Sequence, residues 1–333
     1  MMESKITICK KVREDKALRD SFNALAEETF GLNFEDWYQN GYWKDNYIPY
    51  CALCDGQVVA NVSVNPMEFV FDGEKRKVIQ LGTVMTKPEY RMQGLSRRLM
   101  EEIEKDFGDI DGAFLFGNDS VTEFYPKFGF VASEETQYVG TFADVKKEQD
   151  CGASERSREK AACEAFETSA QDAAAVLVPM ACKTDWDRLA QAVEKSACQG
   201  RLHMWHNAQL LLFYVSKFMQ ECVYWVESQQ AYVIAEPEEN TLMIHEVISE
   251  KQADLNEIIN AFGGGFDRVV LGFTPECECA PCGAAGREAG CAPEETVWQQ
   301  VPRKEEDCTL FVKGRAFENF AEKKVMFPTL SHT

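Results

Sequence analysis

The sequence has no long apolar run. Its longest are short, as at residues 210–215, and none approaches the ~18 residues of a membrane span. The opening MMESKITICKKVRED lacks the apolar stretch of a signal peptide, so a cytoplasmic protein is expected, with no membrane partner. Positive charge is also scarce. There are 35 Lys and Arg against 55 Asp and Glu, a net charge of −20. That balance argues against a nucleic-acid partner and against an anionic membrane surface. It is compatible with a cationic substrate such as an amine, although acid that simply keeps the chain soluble is enough to account for it.

Paired cysteine spacing is missing too. The 13 cysteines are odd in number and scattered through apolar segments, so Cys9, Cys51, Cys54, Cys222 and Cys308 read as small core residues in a reducing compartment. Cys277, Cys279, Cys282 and Cys291 could offer four thiolates to zinc. Their C-x-C-x2-C-x8-C spacing is poor for a zinc knuckle, so no metal is expected. With 45% hydrophobic and 11% aromatic residues, the chain is globular rather than disordered. Its 333 residues suffice for two or three domains.

What the chain does have is concentrated in residues 81–100, LGTVMTKPEYRMQGLSRRLM. Residues 78–86 are apolar and β-branched, as in a strand. Pro88 and a polar turn follow. Arg91, Met92, Gln93, Gly94, Leu95 and Ser96 then run into a helix predicted over 96–105. Strand, glycine loop and helix start outline a phosphate site. The first N–H groups of a helix lack intrahelical partners, and the macrodipole adds positive charge there. Gly94 lets the backbone approach closely, and Arg91 and Arg97 can add charge-assisted bonds.

At these residues the stretch resembles the GCN5-related N-acetyltransferase (GNAT) superfamily, whose signature is Arg or Gln, two residues, Gly, one residue, then Gly or Ala. Ser96 departs from the last position, but it is small and could cap the helix. A second block, residues 118–130, resembles the second GNAT motif, a Phe-Tyr pair before a Gly and an aromatic. By that resemblance the cofactor is acetyl-CoA, held by Val84, Met85, Thr86, the 91–97 loop, Asn118 and Val121. Asn118 would bond the pantetheine arm, and Tyr125 would stand beside the sulfur as general acid. On the residues alone, Tyr125 could be a packed aromatic whose hydroxyl bonds backbone. A Tyr, with pKa near ~10, suits a thiolate whose acid has pKa ~8–9.

Earlier in the chain, Asp55-Gly56 and Asp72-Gly73 between extended runs predict two hairpins. Tyr42, Trp43, Tyr47 and Tyr50 either line an acceptor pocket or form ordinary core. Residues 130–142 are expected to close the first domain with one or two strands. Residues 144–160 lose their hydrophobicity and read as a linker.

The second half repeats the order strand, turn, strand, turn, strand, helix, strand. It has no Arg-x-x-Gly after its third strand, hence no phosphate cradle. Helices are predicted over 172–178, 185–197, 205–219 and 251–262. His203 and His206 would sit three apart on a helix, and His245 on a strand. The expected fold is α/β: two GNAT-like domains in tandem, each a mixed, mostly antiparallel twisted sheet flanked by helices, plus a C-terminal extension. The domains would be residues 1–143 (catalytic), 161–275 (degenerate) and 276–333 (Cys-rich insertion and tail). The apolar tail must pack, against the second domain or across the first cleft.

This arrangement is similar to the Eis-like tandem acetyltransferases. The 58 residues after Pro275 (333 − 275) are too few for the third, sterol-carrier-like domain of that type. The resemblance implies acetyl transfer to the primary amine of a small molecule or peptide, with an oligomer possible. It also implies that the C-terminal carboxylate, here Thr333, acts as base. Glu35, Asp36 and His332 are alternatives. The competing reading is a non-catalytic acyl-CoA sensor, which would not need Tyr125.

Overall fold

The computed structural model describes residues 6–141, 174–263, 266–276 and 298–332. The predicted linker, the four clustered cysteines and Thr333 lie outside them. Among the described residues no helix is long and apolar enough to cross a membrane.

The first half begins with β1 (Thr7–Cys9), α1 (Lys16–Phe30) and α2 (Glu35–Gln39). Asp15 caps α1 by accepting from the N–H groups of Ala17 and Leu18, and Gly31 ends it at φ 69°. β2 (Ile48–Cys54), β3 (Gln57–Phe71) and β4 (Glu74–Thr86) then run as a meander. Both connecting Asp-Gly pairs have positive φ at both residues, as a two-residue hairpin turn requires. α3 (Leu95–Phe107) returns the chain to β5 (Gly112–Gly117), which pairs parallel with β4. β6 (Val131–Ser133) and β7 (Glu135–Thr141) follow.

The second half contains β8 (Ala175–Leu177), α4 (Lys183–Val193), β9 (Gly200–Met204), α5 (Ala208–Lys217), β10 (Val223–Val226), β11 (Ala231–Glu238), β12 (Thr241–Ile248), α6 (Leu255–Ala261), β13 (Arg268–Leu271), β14 (Thr274–Pro275), β15 (Gln299–Arg303) and β16 (Thr309–Lys313). Two expectations fail here. Residues 175–177 form a strand at the sheet edge rather than part of a helix. The helix expected from 205 starts at Ala208, after Asn207 accepts from Leu210 N–H, so His203 lies on β9 and His206 in a turn with φ 49°. His245 is on strand β12, as expected.

The sheets do not divide the chain at the boundaries drawn from the sequence. The first sheet runs β1-β2-β3-β4-β5-β16-β6, with β9 and β14 alongside, and the second runs β15-β7-β13-β12-β11-β10-β8. β7, expected to close the first domain, pairs with β13 and β15 in the second sheet. β16, from the tail, fills the gap between β5 and β6 in the first. The halves thus exchange β7 for β16, and β9 and β14 of the second half also join the first sheet. Alternating apolar residues announce a strand and its buried face, but not the sheet that receives it. Packing decides the case. Tyr138 on β7 is fully buried, and Gly140 lies against the ring of Trp298. Phe311 and Val312 on β16 complete the cores on either face of the first sheet. Position by position, the two orders are the same arrangement, and each holds one parallel pair at its centre, β4–β5 and β12–β13.

Helix α5 is apolar on nearly all sides, because it is packed on several. Leu210 belongs to the core under the tail, while Leu211, Leu212 and Phe213 join the aromatic core of α1 and α2. Trp37 Nε1 donates to the carbonyl of Gln209 at 2.9 Å across this contact. Tyr42, Trp43 and Tyr47 are buried in that same aromatic core, and Tyr50 is buried on the opposite face of the sheet.

Candidate active site

β4 and β5 pair at three rungs only, Val78–Gly112, Ile79–Ala113 and Gln80–Phe114. Beyond them no rung joins the two strands, and β5 turns to β16 on its other side. The register of β4 against β3 jumps at the same level. Asn61 opposes Met85 and Ser63 opposes Gly82, so Thr83 and Val84 together face Val62. This β-bulge leaves backbone groups unpaired and re-aims the strand.

Thr83 sits in the bulge at φ 44°, a strained conformation for a β-branched residue. A buried polar network holds it there. Tyr47 Oη and Thr83 Oγ1 are 2.6 Å apart. Asn61 Nδ2 donates to Thr83 O and to Ser63 Oγ, both at 2.9 Å, and Ser63 Oγ donates to Tyr47 Oη at 3.0 Å. The sequence placed Val84, Met85 and Thr86 on this edge but did not reveal Thr83, Asn61, Ser63 and Tyr47 as its support. The visible signal was Gly82-Thr83 interrupting a β-branched strand.

Across the splay stands the start of α3. Gly94 is its N-cap at φ 74°, and no side chain caps the helix. Ser96 therefore does not cap it. Its hydroxyl lies in the first turn, 3.3 Å from Thr86 Oγ1. A Cβ on Gly94 would meet nothing within 4 Å, so the backbone there is open to approach. Arg91 donates from Nε to Thr86 O at 3.2 Å, and Gln93 Nε2 to Glu89 O at 3.0 Å, which braces the loop. Met92 is fully exposed, and the Arg97 guanidinium lies 5.9 Å from the Phe128 ring. Leu95 is buried beneath the helix, so of this loop it contributes backbone rather than side chain. Uncapped N–H groups, an open glycine and two flanking arginines fit a pyrophosphate.

Tyr125 lies in the 3-10 turn Tyr125–Phe128 and is 4% exposed. Its ring packs on Phe124, Phe130 and Phe311 and approaches Gly117 at the end of β5, where a Cβ would come within 2.9 Å of it. Burial pushes its phenol up to about 12, so it holds its proton. Val121 is exposed nearby. Asn118 is already engaged: its amide donates to Asp307 Oδ2, and Asp307 Oδ1 accepts from Asp119 N–H at 3.1 Å. The loop before β16 thus braces the second motif.

On the opposite face of the sheet the tail arrives. Thr329 N–H donates to Gly272 O at 2.8 Å, and Thr329 Oγ1 lies 2.9 Å from His245 Nδ1. His332 stacks on Phe116 of β5 at 3.8 Å, and its carbonyl accepts from the Tyr214 hydroxyl. Burial pushes its imidazole well down, so it is neutral. Glu35, an alternative base, is instead paired with Arg19 at 2.8 Å, and that bond lowers its pKa. On this face a cavity of about 550 Å³ is lined by Phe116, Asp119, Glu134, Glu135, Arg303 and Glu305, among others.

Residues 12–132 match the family profile of the acetyltransferase (GNAT) domain. A solved probable N-acyltransferase from Enterococcus faecalis V583 has the same fold at TM-score 0.53 and 14% identity, over 96% of this chain and 75% of that one. A GCN5-related N-acetyltransferase from Kribbella flavida gives 0.52 and 14%, over 93% and 71%. Eis1 from Mycobacterium abscessus gives 0.54 and 14%, over 93% and 74%. No curated protein sequence matches. Residues 12–132 thus resemble a GNAT acetyltransferase domain. Across the described residues the fold is two GNAT-like domains in tandem, similar to that of Eis1.

Proposed function

We propose that the protein transfers acetyl directly from acetyl-CoA to the primary amine of a small molecule or peptide. The observation that carries this reading is the single open splay of β4 and β5, with an uncapped helix start on one side and the proton-bearing Tyr125 at its end. Loop 91–97 would take the pyrophosphate. The β4 edge at Val84–Met85–Thr86, left unpaired on the β5 side, would take the pantetheine arm. A backbone N–H freed by the bulge would face the thioester oxygen as charge develops on it. The amine nitrogen attacks the carbonyl carbon, the C–S bond breaks, the departing sulfur takes the Tyr125 proton, and the proton shed by the acylated nitrogen restores the phenol. The acceptor would enter from the tail face, where acidic side chains line the cavity and suit a cation.

An alkylammonium must first lose a proton, because its pKa is near ~10.4. We assign that proton to the C-terminal carboxylate of Thr333, the role that the resemblance to the Eis-like type implies for it; Thr333 itself lies outside the described residues. Removing Thr333 alone is then expected to cut turnover while acetyl-CoA binding stays unchanged. Thiol release measured against a panel of amines tests the whole reading. Release on one amine class supports it. Binding without release on any amine would leave an acyl-CoA sensor instead.

A further inference from the structure

A second cavity, about 120 Å³, lies on the α3 face of the first sheet. Its walls are Ile79 and Leu81 of β4, Ala113 of β5, Met100 and Ile103 of α3, and Phe130, all buried. It contains none of the residues assigned to acetyl-CoA. Its position is what matters. Ile79 and Ala113 form the middle rung of the parallel pair, and Leu81 is the first residue of β4 past the last rung. The cavity therefore begins at the root of the splay, where the thioester is placed above, and continues beneath the paired strands toward the far end of α3. Lys313 and Glu104, joined at 2.7 Å, stand among its outer residues.

We propose that this cavity takes the acyl chain of the donor, so that the enzyme accepts CoA thioesters longer than acetyl. The inference rests on the reading of the splay as a CoA-thioester site. An apolar wall at the root of that site has no polar group to bind, whereas a methylene chain leaves water there. Since one water takes roughly 30 Å³, the space holds about four methylene-sized groups. The thioester would sit as for acetyl, the chain would pass Leu81, and its end would rest against Met100 and Phe130. Met100, unbranched and polarisable, suits a wall that adjusts to chain length.

The test is calorimetric titration of the full chain with acetyl-, butyryl-, hexanoyl- and decanoyl-CoA. Each methylene buried is expected to tighten binding by about fourfold, from roughly 0.8 kcal/mol per CH₂. The gain should stop at about hexanoyl, when the space is filled. Met100→Trp and Ala113→Leu each narrow the cavity. They are expected to erase the gain while the acetyl-CoA affinity stays the same. Equal affinity for all four esters would overturn the proposal, as would a chain-length gain that survives both variants. Hexanoate that binds equally well without CoA would make the cavity an independent apolar site and contradict it too. Failure of acetyl-CoA and free CoA to bind would instead strike the underlying reading, and the inference with it.

Discussion

The two sheets differ less in how they are built than in what occupies their centres. Both hold a parallel pair that pairs over a few rungs and then parts. Both carry a register shift beside that pair: Asn61/Ser63 on β3 against β4, and Ile234/Ala235 on β11 against β12. In the first sheet the gap past Gln80–Phe114 is joined by no strand rung. In the second the chain's own tail enters the corresponding place. Gly272 N–H donates to Ile244 O at 2.7 Å, and Thr329 N–H to Gly272 O. A Cβ on Gly272 would come within 2.5 Å of Thr329 Oγ1, so only glycine fits between strand and tail. The first sheet keeps its cleft, and in the second the tail fills the corresponding place. The segment that fills it also carries His332 to the first sheet.

Because the halves exchange β7 and β16, neither is expected to stand alone. The largest predicted effect follows. A fragment of residues 1–143 lacks β16 between β5 and β6 and leaves β7 without partners, exposing Phe114, Phe116 and Leu115. It should show no cooperative thermal unfolding by circular dichroism. A sharp transition would mean that the first sheet closes without the tail.

Tyr125→Phe tests whether the first centre is chemically distinct. Turnover should fall by about 10²–10⁴-fold, the usual contribution of a positioned acid. Acetyl-CoA affinity and Tm should change little, because among the described residues that hydroxyl makes no hydrogen bond and the ring contacts remain. Full activity in this variant would remove Tyr125 from the mechanism.

Gly94→Val places a β-branched side chain at φ 74°, where strain costs about 1–2 kcal/mol, and adds bulk beside the helix N–H groups. Acetyl-CoA binding should weaken by roughly tenfold or more, read by calorimetry. Gly263 at φ 78° ends α6 in the second half, and Gly263→Val should lower Tm without touching that affinity. Equal effects on binding at both glycines would erase the difference between the halves.

The smallest effect concerns the second centre, where Glu246 is buried beside His203, with Nδ1 and Oε1 4.0 Å apart. Other groups facing the pair include His206 on the His203 side and the Val247 N–H, which donates to Glu246. Burial raises Glu246 to about 8 and lowers His203 to about 4, so both are neutral near pH 6. A raised acid favours folding below its unfolded value, and that contribution is lost as pH rises through about 8. A depressed histidine favours folding above its unfolded value, and loses it as pH falls through about 4. Tm should thus decline from pH 6 to 9, and Glu246→Gln should flatten that decline. A variant that declines as steeply as the parent would contradict the assignment.

The strand–loop–helix at 78–107 was legible because its chemistry is local: β-branched residues, Pro88, Gly94 and a helix follow one another in sequence. The hairpins were legible for the same reason. The exchange of β7 and β16 was not, since a strand's pattern carries no address for its partner. The buried support of Thr83 was hidden likewise, because Tyr47, Asn61 and Ser63 meet only after the sheet forms. His203 was misread as helical because the polar His206, Asn207 and Gln209 read as one face of a helix already under way, whereas Asn207 is the cap that starts it at Ala208.

The most direct measurement is the stoichiometry of acetyl-CoA binding to the full chain by calorimetry, repeated with Gly94→Val. The account predicts one site per chain, weakened by that substitution. Two sites per chain, or one site indifferent to Gly94, would show that the second sheet binds the donor and that its filled centre has been misread.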